Sequence, residues 1–566
     1  MQSLHSILKE LAPQGRSALL PALQVVQQLY GWVNEEIAKE VSGALDVPLA
    51  DVFGVIDFYA MLYRQPVGRT VLRVCGAPVC ALAGADAVAA SLCRHLKIAP
   101  GEISSGGSFT VEHAPCLGLC DRAPVVLAGE TAVARASPAL PASICAPSKQ
   151  SAASFVGGDI RLLTSNCGEG RTTSLDEYRA RGGYAGLKKA LTMPPESILA
   201  EVKSAGLVGR GGAAFPTGSK WEGAAKAPGE PKYVVCNADE SEPGTFKDRI
   251  LMEDDPHRII EGMIIAAYAV GASRGYIYVR GEYRHAFNTM TAALAEAAGA
   301  GLLGTNIFTS GFSFAIEMRL GAGAYICGEE TALLESIEGK RGLPRIKPPF
   351  PTTSGLFGKP TVINNVETFC NVPLIIEHGV DAYRKIGTEK SPGPKLFCVS
   401  GQIERPGLYE VPFGISLRHL LFDLAGGIKS NRNLQAVLMG GAAGAFALEK
   451  DLDVLLSFES LSAAGLPLGS GAVMVFDDSA DIRQVLKRLG HFFADESCGK
   501  CYPCQLGTRR QDEILDRTAG GRPLGGDRER LADIGATMID ASLCGLGQTA
   551  PMAVLSAMKL WPEMFR

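Results

Sequence analysis

The sequence lacks an excess of charge of either sign: 55 lysines and arginines face 59 aspartates and glutamates in 566 residues, and neither end carries a basic run. Nucleic acids and anionic lipids are bound by clustered basic residues, so neither is an expected partner. Long apolar runs are missing too. The longest, around Met263 to Ala272, is soon followed by Arg274 and falls short of the roughly 18 to 20 residues that span a bilayer. The opening residues, MQSLHSILKELAPQGR, hold no long apolar core and no small-residue cleavage site, which points away from a secretory signal and toward the cytoplasm. Fifteen cysteines are too few at this length for a disulfide scaffold; in a reducing compartment their clusters read as metal or catalytic ligands. Internal repeats are absent, as is the Gly-Lys-Ser/Thr of a Walker loop.

What is present is enough apolar sequence, 46%, for several cores, since one core rarely serves a chain this long. Residues 1–65 carry helical periodicity, with Leu19, Leu23, Val26 and Tyr30 on one stripe and Ile37 and Val41 on another. From residue 66 to 146, the short runs TVLRVC, FTVEHAPC and APVVLAGETAVAR surround an Ala-rich helix over 83–96, a compact α/β pattern. A Pro/Ser/Ala-rich stretch makes 147–174 the linker candidate. Over 175–394, helical segments alternate with strands such as YVVCNAD and GYIYVRGEY, which predicts a largely parallel sheet. Residues 395–480 turn to strand character around a helix near Ser416 to Ala425, a β-grasp pattern, and 481–566 are helical.

Cys498, Cys501 and Cys504 form C-x2-C-x2-C, with Cys544 about forty residues on. Three near thiolates and one remote thiolate suit a [4Fe–4S] cubane; a four-cysteine zinc site is the competing reading, although zinc more often takes two separated pairs. Cys75 and Cys80 form C-x4-C, and Cys116 and Cys120 form C-x3-C, each pair where a strand becomes a loop. Two such loops can each hold one iron of a [2Fe–2S] cluster, and zinc again competes. The remaining cysteines stand singly and read as small buried apolar residues.

GRGGAAFPTGSKW (209–221) brings backbone N–H groups close enough to cradle an anion, with Lys220 nearby, although an ordinary turn explains the glycines equally well. VVCNADESEPGTFKDR packs Asn237, Asp239, Glu240 and Glu242 at the end of a strand, a density that repulsion makes costly without ligands or cations. A second glycine-rich stretch carries Glu329 and Glu330, followed by Lys347 and Phe350, and TVINNVET adds Asn364 and Asn365.

Together with KPPFP and SLCGLG, these motifs closely resemble the NADH-binding flavoprotein subunit of respiratory complex I and its soluble relatives, over about residues 170 to 566. Residues 1–146 resemble the thioredoxin-like [2Fe–2S] subunit of the same family. The resemblance implies an α/β multidomain chain: a helical cap with a thioredoxin-like ferredoxin domain, an α/β flavin domain, a β-grasp domain and a helical [4Fe–4S] domain. It assigns FMN to Gly209, Arg210, Gly211, Gly212 and Lys220 of the first glycine loop. Asn237, Asp239, Glu240, Gly328, Glu329, Asn364 and Asn365 would complete that pocket. Phe215 and Phe350 would flank the adenine of NAD, with Glu242, Glu330 and Lys347 binding the rest. Ala214 replaces a glycine frequent in the family, which leaves its backbone angle open, and Gly223 replaces an aromatic, which would widen the adenine pocket. No molybdopterin, tungsten or nickel site is visible in the sequence. The resemblance therefore implies a hetero-oligomer in which another subunit is the electron donor. Best matched is the beta subunit of an NAD-dependent formate dehydrogenase, whose alpha subunit carries a molybdenum or tungsten molybdopterin and further iron–sulfur clusters; an NAD-reducing hydrogenase is the alternative.

Overall fold

The computed structural model describes residues 3–147 and 153–565; the heart of the expected linker, 148–152, lies outside them. The first part is helical: Leu4–Leu11, Leu19–Tyr30, Glu35–Leu45 and Leu49–Phe58. Gly31 ends the second helix at φ 81°, and Asn34 caps the third by accepting from the Ile37 N–H. Leu19, Leu23 and Val26 are buried as the periodicity predicts, but Tyr30 is 49% exposed, because the stripe stops supporting burial at the helix's last residue.

The ferredoxin part is a four-stranded sheet of β1 (Thr70–Cys75), β2 (Phe109–Ala114), β3 (Val126–Ala128) and β4 (Thr131–Val133), in the order β2-β1-β3-β4. β1 and β2 run parallel across the helix Ala85–Leu96, whereas β3 returns antiparallel to β1. Between this sheet and the next comes β5 (Val156–Gly157), inside the stretch expected to be a linker.

The flavin-type sheet comprises β6 (Tyr233–Ala238), β7 (Arg274–Val279), β8 (Ala315–Leu320) and β9 (Thr361–Asn365), ordered β8-β7-β6-β9 with every pairing parallel. A parallel sheet is apolar on both faces and needs a layer on each. Val234, Cys236, Ile277 and Val362 face the helices Pro256–Val270 and Val366–His378. Those helices cross so closely that a Cβ on Gly262 would fall 2.1 Å from the Phe369 carbonyl oxygen. The alternate residues Val235, Tyr276, Tyr278 and Ile363 pack in one core with Leu23, Val52, Ile56 and Tyr59. The N-terminal helices are thus the second layer of the flavin domain.

The third sheet holds β10 (Pro394–Gly401), β11 (Gly407–Pro412), β12 (Leu434–Met439), β13 (Ala445–Ala447) and β14 (Ala472–Asp477), in the order β13-β12-β14-β10-β11-β5. The linker expectation is corrected here. β5 pairs with β11 through Val156 and Gly157, and the buried Glu410 carboxylate accepts from the N–H groups of Leu162, Leu163 and Thr164. An unpaired strand edge and a buried carboxylate both needed donors, and residues 156–164 supply them. The expected helix near Ser416 to Ala425 is a single π-helical stretch, His419–Leu424. The chain ends in helices Ile482–Glu496, Tyr502–Ala519, Asp527–Ala541 and Met552–Leu560. No helix among the described residues is long and apolar enough to cross a membrane.

Tyr59 ties the cap to the flavin domain: its buried hydroxyl donates to Ser336 Oγ at 2.7 Å and lies 3.2 Å from the Lys340 carbonyl oxygen. Replacement Tyr59→Phe leaves the packing and the Ser336–Tyr278 bond but removes the bonds of the Tyr59 hydroxyl, so a loss of about 1 kcal/mol is expected. Chemical denaturation would detect it, and an unchanged midpoint would show that apolar contact alone holds the cap.

Candidate functional site

A cavity of about 630 Å³ opens where β6 and β9 end. That is the carboxyl edge at which α/β sheets build sites, and the volume is in the range of small-molecule pockets. Gly211 and Gly212 line it with Asn237, Asp239, Glu240, Glu242, Gly328, Glu329 and Asn365. A Cβ on Gly211 would come within 3.1 Å of Asn365 Cβ, so a side chain there would push the loop away from β9 by a few tenths of an ångström. Ala214, whose backbone angle the sequence left open, sits at φ 52°, a left-handed conformation costing a non-glycine residue about 1–2 kcal/mol.

Three of the assigned residues lie outside the cavity lining. Gly209 lies outside the cavity lining, its N–H donating to the Phe215 carbonyl to close the loop. Arg210 is buried and turns away from the cavity, donating to the Pro392 carbonyl at 2.8 Å and lying 4.7 Å from the Phe413 ring centre; only its main chain follows the glycine loop, anchored by its N–H to Thr368 Oγ1. Asn364 is buried behind β9, where its Oδ1 accepts from Trp221 Nε1 at 2.7 Å. Side chains alternate along a strand, so of two adjacent asparagines only Asn365 reaches the cavity.

Lys220, Glu330 and Lys347 form a separate group. Glu330 lies 3.2 Å from Lys220 and 3.0 Å from Lys347, and the two lysines hold its carboxyl below the usual range despite burial. Lys347 also reaches Glu329, whose other oxygen caps the helix Glu330–Ile337. Phe215 and Phe350 are 53% and 55% exposed, large apolar rings left open to solvent. At Gly223 a Cβ would meet nothing nearer than Thr352 at 3.8 Å.

Among the described residues, Asp239, Glu240 and Glu242 make no direct ion pair, and burial outweighs the pull of Arg280 on Asp239 and of Lys247 on Glu240. Burial raises Asp239 well above the carboxylate range and takes Glu240 to about 8 and Glu242 to about 7. The Glu240 carboxyl accepts from the Asp248 and Arg249 N–H groups, and Glu242 accepts from the Tyr325 hydroxyl and the Ala443 N–H. Asp239 Oδ2 has no hydrogen-bond partner. A buried, unsatisfied oxygen lining a glycine-walled cavity of this size fits a polar heteroaromatic ligand that satisfies it. Beneath the cavity, Lys247 pairs with Asp248 at 2.7 Å and Glu367 at 3.1 Å, and Lys395 with Glu367 at 2.7 Å, all buried.

Several lining residues escaped the sequence reading: Ser241, Asp248, Tyr325, and Gly440, Ala443 and Leu466 to Ser470 of the β-grasp domain. The paired glycines 440 and 441 were the available signal. A Cβ on Gly441 would fall 2.6 Å from Glu242.

Both cysteine sets come together. Cys498, Cys501, Cys504 and Cys544 line one cavity with Ile326, Pro344 and Leu546, and Ile326 and Leu546 also line the large cavity. Burial pushes Cys504 to about 12 and Cys544 to about 11, so a cluster binding there must displace their protons. At the other end Cys116 and Cys120 lie 3.3 Å apart, Cys75 sits against both Cys80 and Cys116, and all four are buried and free of disulfides.

Glu242 gives a pH signature. Its carboxyl is ordinary when unfolded, near 4.5, and about 7 when folded. Between these values unfolding releases a proton, so its contribution to stability is full at pH 4 and is lost as pH rises toward 7, about 3 kcal/mol in all. Glu242→Gln removes that loss. Its melting temperature relative to the native protein should be more favourable at pH 8 than at pH 5, and an equal difference at both would refute the raised value.

Three family descriptions match in succession: a thioredoxin-like [2Fe-2S] ferredoxin over residues 4–146, the Nuo51 FMN-binding domain over 202–374, and the NADH-ubiquinone oxidoreductase-F iron-sulfur binding region over 484–566. The chain is 51% identical over 386 residues to the second F-type subunit of the NADH-quinone oxidoreductase of Rhizobium meliloti, covering 68% of this chain and 92% of that one. It is 49% identical over 399 residues to the NADP-reducing hydrogenase subunit HndC of Solidesulfovibrio fructosivorans, covering 70% and 81%. A chain of an NAD+-reducing [NiFe]-hydrogenase superposes with a TM-score of 0.85 at 34% identity over 97% of this chain and 93% of its own. The chain therefore belongs to the NADH-quinone oxidoreductase F-type family of FMN- and iron–sulfur-bearing, NAD(H)-dependent oxidoreductase subunits, here with a [2Fe–2S] ferredoxin domain in the same polypeptide.

Proposed function

We propose that this chain is the NAD+-reducing subunit of a cytoplasmic formate dehydrogenase, receiving electrons from a molybdenum- or tungsten-bearing catalytic subunit. The observation that carries the electron-transfer reading is the wall of Ile326 and Leu546 shared by the large cavity and the cavity of Cys498, Cys501, Cys504 and Cys544. Bound FMN supplies the exchange between the two-electron hydride of NAD(H) and the single electrons of iron–sulfur clusters. The chain's own residues bind and orient. Gly211 and Gly212 let the backbone approach the flavin phosphate and ribityl chain, and Asp239 and Asn365 offer polar atoms to its ring. Phe215 and Phe350, exposed and apolar, suit the faces of an adenine. Lys220 and Lys347 favour an anionic dinucleotide, and Glu242, held at the cavity wall by Tyr325 and Ala443, would orient the nicotinamide end.

Formate as the reductant is supported by the complete set of N-terminal cysteines, Cys75, Cys80, Cys116 and Cys120, and by ESEPGTFKDR and VFDDSADI, which look like formate dehydrogenase beta subunits. The second reading, a hydrogenase partner, is favoured by the near full-length likeness to the NAD+-reducing [NiFe]-hydrogenase chain. Anaerobic co-purification separates them: the complex should reduce NAD+ with formate and contain molybdenum or tungsten, whereas reduction by hydrogen with nickel present would move the chain to the second reading. In the same complex Glu242→Gln should raise the KM for NADH about tenfold while FMN is retained; an unchanged KM removes Glu242 from the dinucleotide site.

A further inference from the structure

The loop carrying Cys116 and Cys120 is seated on the flavin domain by three side chains. Arg249 Nε donates to the Gly118 carbonyl at 3.1 Å, and the Tyr283 hydroxyl lies 3.3 Å from that oxygen and 3.3 Å from Glu240 Oε2. The fit is tight: Gly118 has φ +69°, and a Cβ there would fall 1.9 Å from the Tyr283 hydroxyl. The third is Arg280, immediately after β7 and 2% exposed. Its guanidinium is shared among three residues. Nη2 donates to the Cys116 carbonyl at 2.6 Å, Nη1 donates to the Glu240 carbonyl at 2.8 Å, and Glu282 closes the remaining side at 2.8 and 3.0 Å.

We propose that Arg280 is a positioning residue for both redox sites at once, setting the reduction potential of the [2Fe–2S] cluster through Cys116 while holding the flavin loop through Glu240. The inference rests on the reading that Cys75, Cys80, Cys116 and Cys120 hold that cluster. Reduction adds one negative charge to a buried site. A guanidinium that stays protonated and donates to the carbonyl of a ligand residue stabilises the reduced form, and so raises the potential. Glu282 offsets part of the Arg280 charge, but the N–H bond to Cys116 remains directed at the cluster loop. Only a planar fork can serve two carbonyls on different domains together with a carboxylate; the point charge of lysine cannot keep all three. One side chain thereby links the backbone of a cluster ligand to that of a residue lining the flavin cavity.

The test is a redox titration of the intact complex followed by electron paramagnetic resonance, with Arg280→Gln and Arg280→Lys. The native protein should show a [2Fe–2S] signal, and its absence would overturn the ligand reading on which the inference stands. With the signal present, Arg280→Gln should disfavour the reduced cluster about tenfold, a downward shift of about 59 mV for a one-electron couple. Arg280→Lys, which keeps the charge and so protects Glu282 from being buried alone, should shift it about threefold in the same direction. The [4Fe–4S] midpoint should stay put in both variants. A [2Fe–2S] midpoint within measurement of the native value in Arg280→Lys, with its line shape unchanged, would overturn the proposal even if the glutamine variant fails to fold.

Discussion

The parallel sheet β6–β9 cannot leave either face in water, and most of the molecule's arrangement follows from how that requirement is met. One face is covered by the domain's own helices. The other is covered by the first sixty residues, which share a core with Val235, Tyr276, Tyr278 and Ile363. Once those helices are fixed on the sheet, the ferredoxin domain that follows them is confined to the sheet's carboxyl edge. That edge is where Asn237, Asp239 and Asn365 end their strands and where Arg280 leaves β7. A packing demand on apolar strands thus sets how far the [2Fe–2S] loop lies from the flavin cavity.

Buried charge performs the same task for the β-grasp domain. Lys395, at the start of β10, reaches across to Glu367 and also donates to the Ser470 carbonyl in the cavity wall. Burial lowers it to about 8, against the pull of Glu367. Lys247, Asp248 and Asn365 continue the chain of pairs beneath the glycine loop. Such a group contributes little net stability, because desolvation consumes most of the attraction, but removing one of its four charged members unbalances buried charge at a cost of about 3–5 kcal/mol. It fixes register between domains more than it strengthens either.

The sequence was legible where chemistry is local. Cysteine spacing within a few residues set out both cluster loops, and glycines beside carboxylates marked the cavity's rim. Legibility failed where a side chain's direction depends on a turn or on distant packing. Arg210 looks like a phosphate ligand beside its glycines, yet one turn of the loop buries it against Phe413. Asn364 and Asn365 are chemically identical, and only strand alternation separates their roles. Val156 lies in a Pro/Ser/Ala-rich neighbourhood with no strand signal, because the partner that needs it, β11, is about 250 residues away. The β-grasp wall of the cavity was invisible for the same reason: Gly440 and Gly469 become lining only when another domain stands opposite.

The acidic cluster at the end of β6 shows how the structure resolves a difficulty that the sequence poses. Asp239, Glu240 and Glu242 crowd the end of one strand, and the lysines of the neighbouring group, Lys220 and Lys347, are committed to Glu330. Burial answers instead by keeping protons on these carboxyls, with Glu240 at about 8 and Glu242 at about 7. A neutral carboxyl does not repel an anionic dinucleotide, and it gains an O–H donor that a carboxylate lacks. Glu240 therefore keeps its proton at physiological pH and Glu242 is about half protonated there, while Lys220 and Lys347 are balanced by Glu329 and Glu330. Protonated carboxyls in the wall suit an uncharged ring system better than an anionic group.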